Sequence, residues 1–100
     1  MRNLNKKVVC SDGFTMSVQA NEGAYCTPRC NNQERYEQVE VGFPSEQEEL
    51  LMPWVEDKSR PTETMYAYVP VEIVTNIIVK HGGMVGGEVP PGVVPIPEVY

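Results

Sequence analysis

Residues 7–19 read Lys7-Val-Val-Cys-Ser-Asp-Gly-Phe-Thr-Met-Ser-Val-Gln19 and carry the clearest strand signal in the chain. A β-branched run and an alternating run flank Asp12-Gly13, a dipeptide that is typical of the tight turn of a β-hairpin. In the second run Phe14, Met16 and Val18 share one face, and the residues between them are polar. The pattern predicts an antiparallel hairpin with one face in the core, and Cys10 is expected to be a buried strand residue.

Two more strands are predicted downstream of the hairpin. Residues 37–43 alternate, with Val39, Val41 and Phe43 expected to point inward, and residues 65–69 form a strand rich in tyrosine. Between these strands Ser45 and Glu48 have the spacing of a capping box, which predicts a short helix that Pro53 interrupts.

A C-terminal helix is predicted to begin after Pro70 and to end at Gly82-Gly83, with His81 near its negative end. Four apolar residues recur at helical spacing on its buried face: Val71, Val74, Ile77 and Ile78.

The order of elements predicts an α+β fold, with a mainly antiparallel sheet of about four strands, a helix packed on it and a short second helix. Residues 1–84 are expected to form one domain, and residues 85–100 an extended tail rich in proline and glycine. That tail is interpreted either as an arm that lies on a partner or neighbouring subunit, or as a frayed terminus.

The charge balance excludes several classes of partner. Fourteen acidic residues outnumber eight basic ones, for a net charge of −6, so nucleic-acid binding through phosphates is not expected. No apolar run has the length of a membrane span, and residues 1–7 lack the apolar core of a signal peptide. We therefore expect a cytoplasmic protein that binds neither nucleic acid nor membrane.

Catalysis, a metal and a cofactor are not expected from this sequence. Cys26 and Cys30 have a C-x3-C spacing, and the only histidine, His81, lies some fifty residues away, so the ligand spacing for zinc is poor. No local signature supports a catalytic cysteine–histidine pair, and no phosphate-binding glycine loop is present.

A long loop over residues 21–36 carries the best candidates for ligand binding. Tyr25 could stack on a base or ribose, Thr27 could donate to a phosphate, and Arg29 could clamp that phosphate with two hydrogen bonds. Alternatively, Arg29 pairs with a carboxylate such as Glu22, and Tyr25 closes the core. Outside this loop, three further residues are candidate ligand contacts: Phe43, Arg60 and Thr62.

The segments Val8–Gln19, Tyr25–Arg29, Val39–Ser45 and Tyr66–Val71 together resemble small phage and prophage proteins. In size and layout the chain is similar to the first Thoeris anti-defence family, whose members are phage sponges that sequester cyclic ADP-ribose signals made by bacterial TIR-domain enzymes. This resemblance implies a non-enzymatic homo-oligomer that holds a cyclic nucleotide in a pocket shared between subunits.

Two functions are therefore carried forward as hypotheses. The first is a phage anti-defence protein that binds and sequesters a cyclic nucleotide immune signal, either a cyclic ADP-ribose isomer or a cyclic oligonucleotide. The second is an acidic protein–protein inhibitor of a host defence complex, of the anti-CRISPR type. A homo-oligomer is expected in addition, because a small core is joined to an apolar tail.

Overall fold

The structure is a computed structural model that describes residues 4–98, and it confirms the α+β fold. Five strands form one antiparallel sheet in the order β4-β3-β2-β1-β5. The strands are β1 (Val8–Cys10), β2 (Thr15–Gln19), β3 (Gln38–Gly42), β4 (Met65–Pro70) and β5 (Met84–Gly86). The helices are a 3-10 helix (Glu49–Trp54) and α1 (Val71–Lys80).

The predicted hairpin is present as β1 and β2. Val8 pairs with Met16, and the Asp12 side chain accepts a hydrogen bond of 2.9 Å from the Phe14 backbone N–H. Gly13 has φ +95°, a conformation that glycine adopts without steric cost. Met16 and Cys10 are buried as predicted, because one face of the hairpin packs into the core.

Helix α1 crosses one face of the sheet from edge to edge. It begins directly after β4 at one edge and leads into β5 at the other. Its ten residues span about 15 Å, close to the roughly 19 Å between the outermost strands of a five-stranded sheet. All four apolar residues predicted for its buried face are in the core: Val71, Val74, Ile77 and Ile78.

The number of strands is five rather than about four, because Met84–Gly86 pairs with β1. Three residues with a glycine are too short to show an alternating pattern, so the sequence gives no strand signal here. Residue 85, where the extended tail was predicted to begin, therefore lies in the middle of this strand. Farther along, the tail lies on its own chain: Tyr36 N–H donates to Pro91, and Val94 N–H donates to the Thr75 hydroxyl. The end of the predicted tail, residues 99 and 100, lies outside the described residues.

Both edges of the sheet are covered by the chain itself. On β4, Val55 forms an isolated bridge with Tyr66, and Glu56 N–H donates to the Met65 carbonyl at 3.1 Å. On β5, Met84 N–H donates to the Ile96 carbonyl at 2.7 Å. The backbone groups of the edge strands are therefore paired at these positions.

The predicted capping box is wrong in one of its two residues. Glu48 caps the short helix, since its side chain accepts from Leu50 N–H at 2.8 Å. Ser45 does not cap it, because its hydroxyl accepts from Thr15 N–H at 3.0 Å and so joins β2 instead. The helix is of the 3-10 type and contains Pro53, which lacks the N–H that an α-helical ladder would use.

His81 lies at the C-terminal end of α1, as the sequence predicts, and it is also a buried junction between distant segments. It caps the C-terminus of α1 and is 6% exposed. Its Nδ1 lies 2.6 Å from Asp12 Oδ2, and its Nε2 lies 2.7 Å from Glu48 Oε1. Lys80 Nζ lies 2.9 Å from the second oxygen of Glu48, and the Phe14 ring stacks on the imidazole at 4.1 Å.

Only the imidazolium form of His81 can donate to both carboxylates at once. Burial lowers the pKa of His81, but the hydrogen bonds to Glu48 and Asp12 outweigh burial and raise that pKa above its ordinary value. Burial disfavours the charged form of Glu48 too, and for a carboxylate this raises the pKa. The hydrogen bonds from Leu50 N–H, Lys80 and His81 outweigh burial and bring the pKa of Glu48 below its ordinary value. The pKa of Asp12 is lowered by its bonds from Phe14 N–H and His81.

These directions define the pH range in which the network stabilises the fold. His81 contributes stability that is fully present below its ordinary pKa of 6.5 and is lost as pH rises through the raised pKa. Asp12 and Glu48 contribute stability that is fully present above their ordinary pKa values of 3.8 and 4.5. This stability is lost as pH falls through their lowered pKa values. The network is therefore strongest between about pH 4.5 and pH 6.5.

We expect His81→Gln to lower the free energy of unfolding at pH 6 by about 2–3 kcal/mol, because a glutamine amide replaces at most one of the two charged hydrogen bonds. The difference from the parent should shrink above pH 6.5, where the parent itself loses this contribution. Urea unfolding at pH 6 and pH 9 measures both effects. Lys58→Gln removes the same charge from an exposed position and serves as the control. A pH-independent difference would contradict the prediction.

Gly87 and Gly13 offer a matched test of how tightly the tail packs, since both have φ +95°. A Cβ on Gly87 would overlap the Lys7 carbonyl oxygen, whereas a Cβ on Gly13 would have nothing within 4 Å. We expect Gly87→Ala to cost about 2–4 kcal/mol and Gly13→Ala about 1 kcal/mol, since only the former adds a clash to backbone strain. Thermal unfolding of the two variants measures the loss of stability in each. Equal losses would show that the tail does not pack on β1.

Candidate functional site

The loop from Asn21 to Tyr36 is anchored on β3 and β4 by its middle residues. Thr27 forms a bridge with Gln38, and its hydroxyl donates to the Gln38 side chain at 2.8 Å. The Tyr25 carbonyl accepts from Tyr68 N–H at 3.1 Å, and Tyr25 N–H donates to the Glu40 carboxylate at 3.0 Å. These bonds fix residues 25–27 against the sheet.

An exposed aromatic patch results from this anchoring. The rings of Tyr25 and Tyr68 lie 6.0 Å apart at 42°, and each residue is 40% exposed. The Arg29 Cζ lies over the Tyr25 ring at 5.2 Å, in cation–π geometry. We call these three residues the Tyr25–Arg29–Tyr68 patch.

Arg29 retains its hydrogen-bonding capacity in this arrangement. Stacking engages the face of the guanidinium, and its five N–H donors lie in the plane of the group. Within residues 4–98 no carboxylate lies within ion-pair distance of Arg29, so the alternative pairing with Glu22 is not formed. Tyr25 is exposed, so the alternative in which it closes the core is not realised either.

A β-bulge places Tyr68 in the patch. Val39 pairs with Val69 and Val41 with Tyr66, so two residues of β4 face Glu40 alone. Tyr68 takes φ +55°, which is costly for a bulky residue, by about 1–3 kcal/mol. The bulge breaks the two-residue alternation that would place Tyr66 and Tyr68 on the same face. The position of Tyr68 in the patch therefore cannot be predicted from the alternating pattern of the sequence.

The other predicted contact residues lie at the opposite end of β3. Phe43 follows the last residue of β3, about 15 Å along the strand from the partner of Thr27. Phe43 was expected to point inward, but it is 47% exposed and has φ +50°.

Arg60 and Thr62 lie in the turn before β4, where Arg60 Nε donates to Glu63 at 2.9 Å. The structure brings Tyr25, Thr27 and Arg29 together, and it does not bring Phe43, Arg60 or Thr62 to them.

The arginines of the described chain lie at separate places. Arg29 stacks on Tyr25, Arg60 pairs with Glu63, and Arg35 lines a shallow cleft with Glu72 on α1. Among residues 4–98, a single chain therefore offers one unpaired guanidinium, that of Arg29, to a ligand at the patch.

The two cysteines of the same loop differ in their surroundings. Cys26 is buried, and its Sγ lies 3.2 Å from the Asn21 carbonyl, while Cys30 is exposed. Burial raises the pKa of the Cys26 thiol, which disfavours the thiolate that binds metals and attacks substrates. In the part of the chain from residue 4 to residue 98, no group of three or more His, Cys, Asp or Glu side chains is placed to hold a metal ion.

Compared with known proteins, the chain matches no family model, no curated protein sequence and no solved structure. None of the helices within residues 4–98 combines the length and apolar character needed to cross a membrane.

The left-handed conformation of Tyr68 predicts an unusual response to glycine. We expect Tyr68→Gly to change the free energy of unfolding by less than about 1 kcal/mol, because relief of strain offsets the lost ring contact. Ala67→Gly, one residue earlier and without a positive φ, should cost about 1 kcal/mol. Chemical denaturation of the two variants measures the difference. A large loss for Tyr68→Gly would mean that the ring stabilises the fold and is not held there for a ligand.

Proposed function

We propose that the protein is a non-catalytic binding protein that holds a nucleotide-type ligand at the Tyr25–Arg29–Tyr68 patch. One observation carries the proposal: an exposed guanidinium lies over an exposed tyrosine ring beside a second tyrosine, with no carboxylate partner in the described chain. This combination offers a flat apolar surface and a set of anion-binding donors side by side.

Each part of a nucleotide has a counterpart in the patch. A base or ribose stacks on a tyrosine ring, a contact worth about 1–3 kcal/mol per base. The Arg29 edge donates two parallel hydrogen bonds to one phosphate, in a geometry that a lysine ammonium cannot reproduce. Thr27 helps indirectly, since its hydroxyl is bonded to Gln38 and keeps the loop on β3.

The net charge of −6 makes this single arginine important. The field of the protein repels an anionic ligand at long range, so binding depends on a fixed local donor. Cyclic ADP-ribose and cyclic dinucleotides carry two phosphates, and Arg29 reaches one. In a symmetric homo-oligomer, Arg29 of a second copy would supply the matching contact.

The resemblance to phage anti-defence sponges gives the proposal its specific form. The ligand is then a cyclic nucleotide immune signal, and the protein sequesters it in the cytoplasm of the bacterial host without converting it. The competing hypothesis, an acidic protein–protein inhibitor of a host defence complex, requires no small-molecule site, so a titration separates the two.

We expect Arg29→Ala to weaken binding of cyclic ADP-ribose by at least about tenfold, or about 1.4 kcal/mol, because it removes the phosphate donor. Arg29→Lys should recover only part of the loss. Arg35→Ala removes the same charge from the same loop outside the patch and should bind as the parent does. Calorimetric titration gives the affinities, and thermal unfolding should show nearly equal melting temperatures.

Two results would contradict the proposal. If Arg29→Ala unfolds the protein, the residue is structural. If neither cyclic ADP-ribose nor a cyclic dinucleotide binds the parent, the protein-inhibitor hypothesis is favoured. Native mass spectrometry of the same samples gives the number of subunits on which the second phosphate contact depends.

A further inference from the structure

A cleft lies beside another part of the same loop and shares no lining residue with the Tyr25–Arg29–Tyr68 patch. This cleft of about 530 Å3 lies between the end of β2, residues 31–33 and the tail, and its volume is within the range of small-molecule sites. Carboxamides of Asn5, Asn31, Asn32 and Gln33 line it, and Pro90 and Pro91 line it from the tail. We call it the amide cleft.

Three of these carboxamides form a hydrogen bond at one end of the amide, and the other end has no partner among residues 4–98. Asn5 Nδ2 donates to the Val18 carbonyl at 3.1 Å, and Asn31 Oδ1 accepts from Glu22 N–H at 2.9 Å. Gln33 Nε2 donates to the Asn31 carbonyl at 3.1 Å. Among the described residues, no group bonds Asn5 Oδ1, Asn31 Nδ2 or Gln33 Oε1. Each of these side chains is therefore fixed in place before a ligand arrives.

The free ends provide acceptors from Asn5 and Gln33 and a donor from Asn31. Hydroxyl groups both donate and accept, so a ring that carries several hydroxyls matches this mixed set. Pro90 and Pro91 add a rigid apolar wall, against which the C–H face of such a ring packs.

The charge of the cleft limits the ligand further. Among residues 4–98, no lysine, arginine or histidine lines it, and Glu22 is the one acidic residue that does. An anion would meet this carboxylate and no cation of the described residues, in a protein that already carries a net charge of −6. The cleft is therefore unsuited to the phosphate of a nucleotide. In this respect it differs from the Tyr25–Arg29–Tyr68 patch.

We propose that the amide cleft binds a neutral ring rich in hydroxyl groups, which is the chemistry of a sugar. The inference does not rest on the proposed nucleotide function, because the two sites share no residue. A free monosaccharide and the end of a glycan present the same ring, and the experiment below includes both.

Titration of 15N-labelled protein with D-glucose, maltotriose and glucose 6-phosphate tests the inference. We expect the side-chain amide signals of Asn5, Asn31 and Gln33 to shift with glucose, with a dissociation constant in the millimolar range. Glucose 6-phosphate should bind at least about fivefold more weakly, because its phosphate meets Glu22. Tighter binding of maltotriose indicates a glycan, and equal binding indicates a single sugar ring.

Two isosteric variants make the test specific. Asn31→Asp keeps the oxygen that accepts from Glu22 N–H and replaces the free donor by an anionic oxygen. A hydroxyl whose proton is donated to Asn5 or Gln33 then has no donor at residue 31, so glucose binding should fall at least about tenfold. Asn76→Asp adds the same charge on α1 outside the cleft and should bind as the parent does. Glu22→Gln should retain glucose and lose the discrimination against glucose 6-phosphate.

The inference is overturned if none of the three sugars shifts these amide signals, or if Asn31→Asp binds glucose as tightly as Asn76→Asp. Should Asn31→Asp fail to fold, Glu22→Gln decides: unchanged discrimination against glucose 6-phosphate overturns the inference. Arg29→Ala should leave the glucose shifts unaltered, so failure of the nucleotide proposal and failure of this one are distinguishable.

Discussion

The two hydrogen bonds of the His81 ring connect parts of the chain that are far apart in sequence. Asp12 belongs to the β1–β2 turn, Glu48 caps the 3-10 helix, and His81 ends α1. Because α1 spans the sheet, fixing its C-terminus also fixes where β5 begins beside β1. Paired charges of this kind demand accurate geometry, since a carboxylate left alone in the interior would cost several kcal/mol.

The position of the candidate site follows from the same framework. With the sheet fixed, β3 and β4 provide the backbone and side-chain groups that receive Tyr25 and Thr27. A loop of sixteen residues would otherwise have little reason to adopt one conformation. Its two sides then differ in chemistry, with aromatic and cationic groups near β4 and carboxamides near the tail. One loop thereby forms two surfaces of different chemistry.

Local patterns were sufficient to predict most of the fold. The Asp12-Gly13 turn and the apolar spacing of α1 act over a few residues, and both were predicted correctly. Contacts between distant segments were not predictable. Nothing near His81 in the sequence indicates that residues 69 and 33 positions away would meet its ring. The strand Met84–Gly86 is likewise defined by its partner β1 rather than by its own composition.

The candidate site was predictable only in part, for a related reason. Composition indicated Tyr25 and Arg29 as candidates, because a tyrosine and an arginine in a long irregular loop are unusual for a passive linker. Composition could not identify Tyr68, whose position in the patch depends on the register shift opposite Glu40. It also grouped Phe43 with Tyr25, although the length of β3 separates them.

The covered edges of the sheet determine how copies of this chain could assemble. Val55 and Glu56 pair with one edge strand, and Ile96 pairs with the other. Two subunits therefore cannot merge their sheets at these positions without first displacing a segment of their own. Assembly would then have to use side-chain surfaces rather than the backbone groups of the edge strands at these positions. The same arrangement hinders the strand-upon-strand stacking that leads to fibrils.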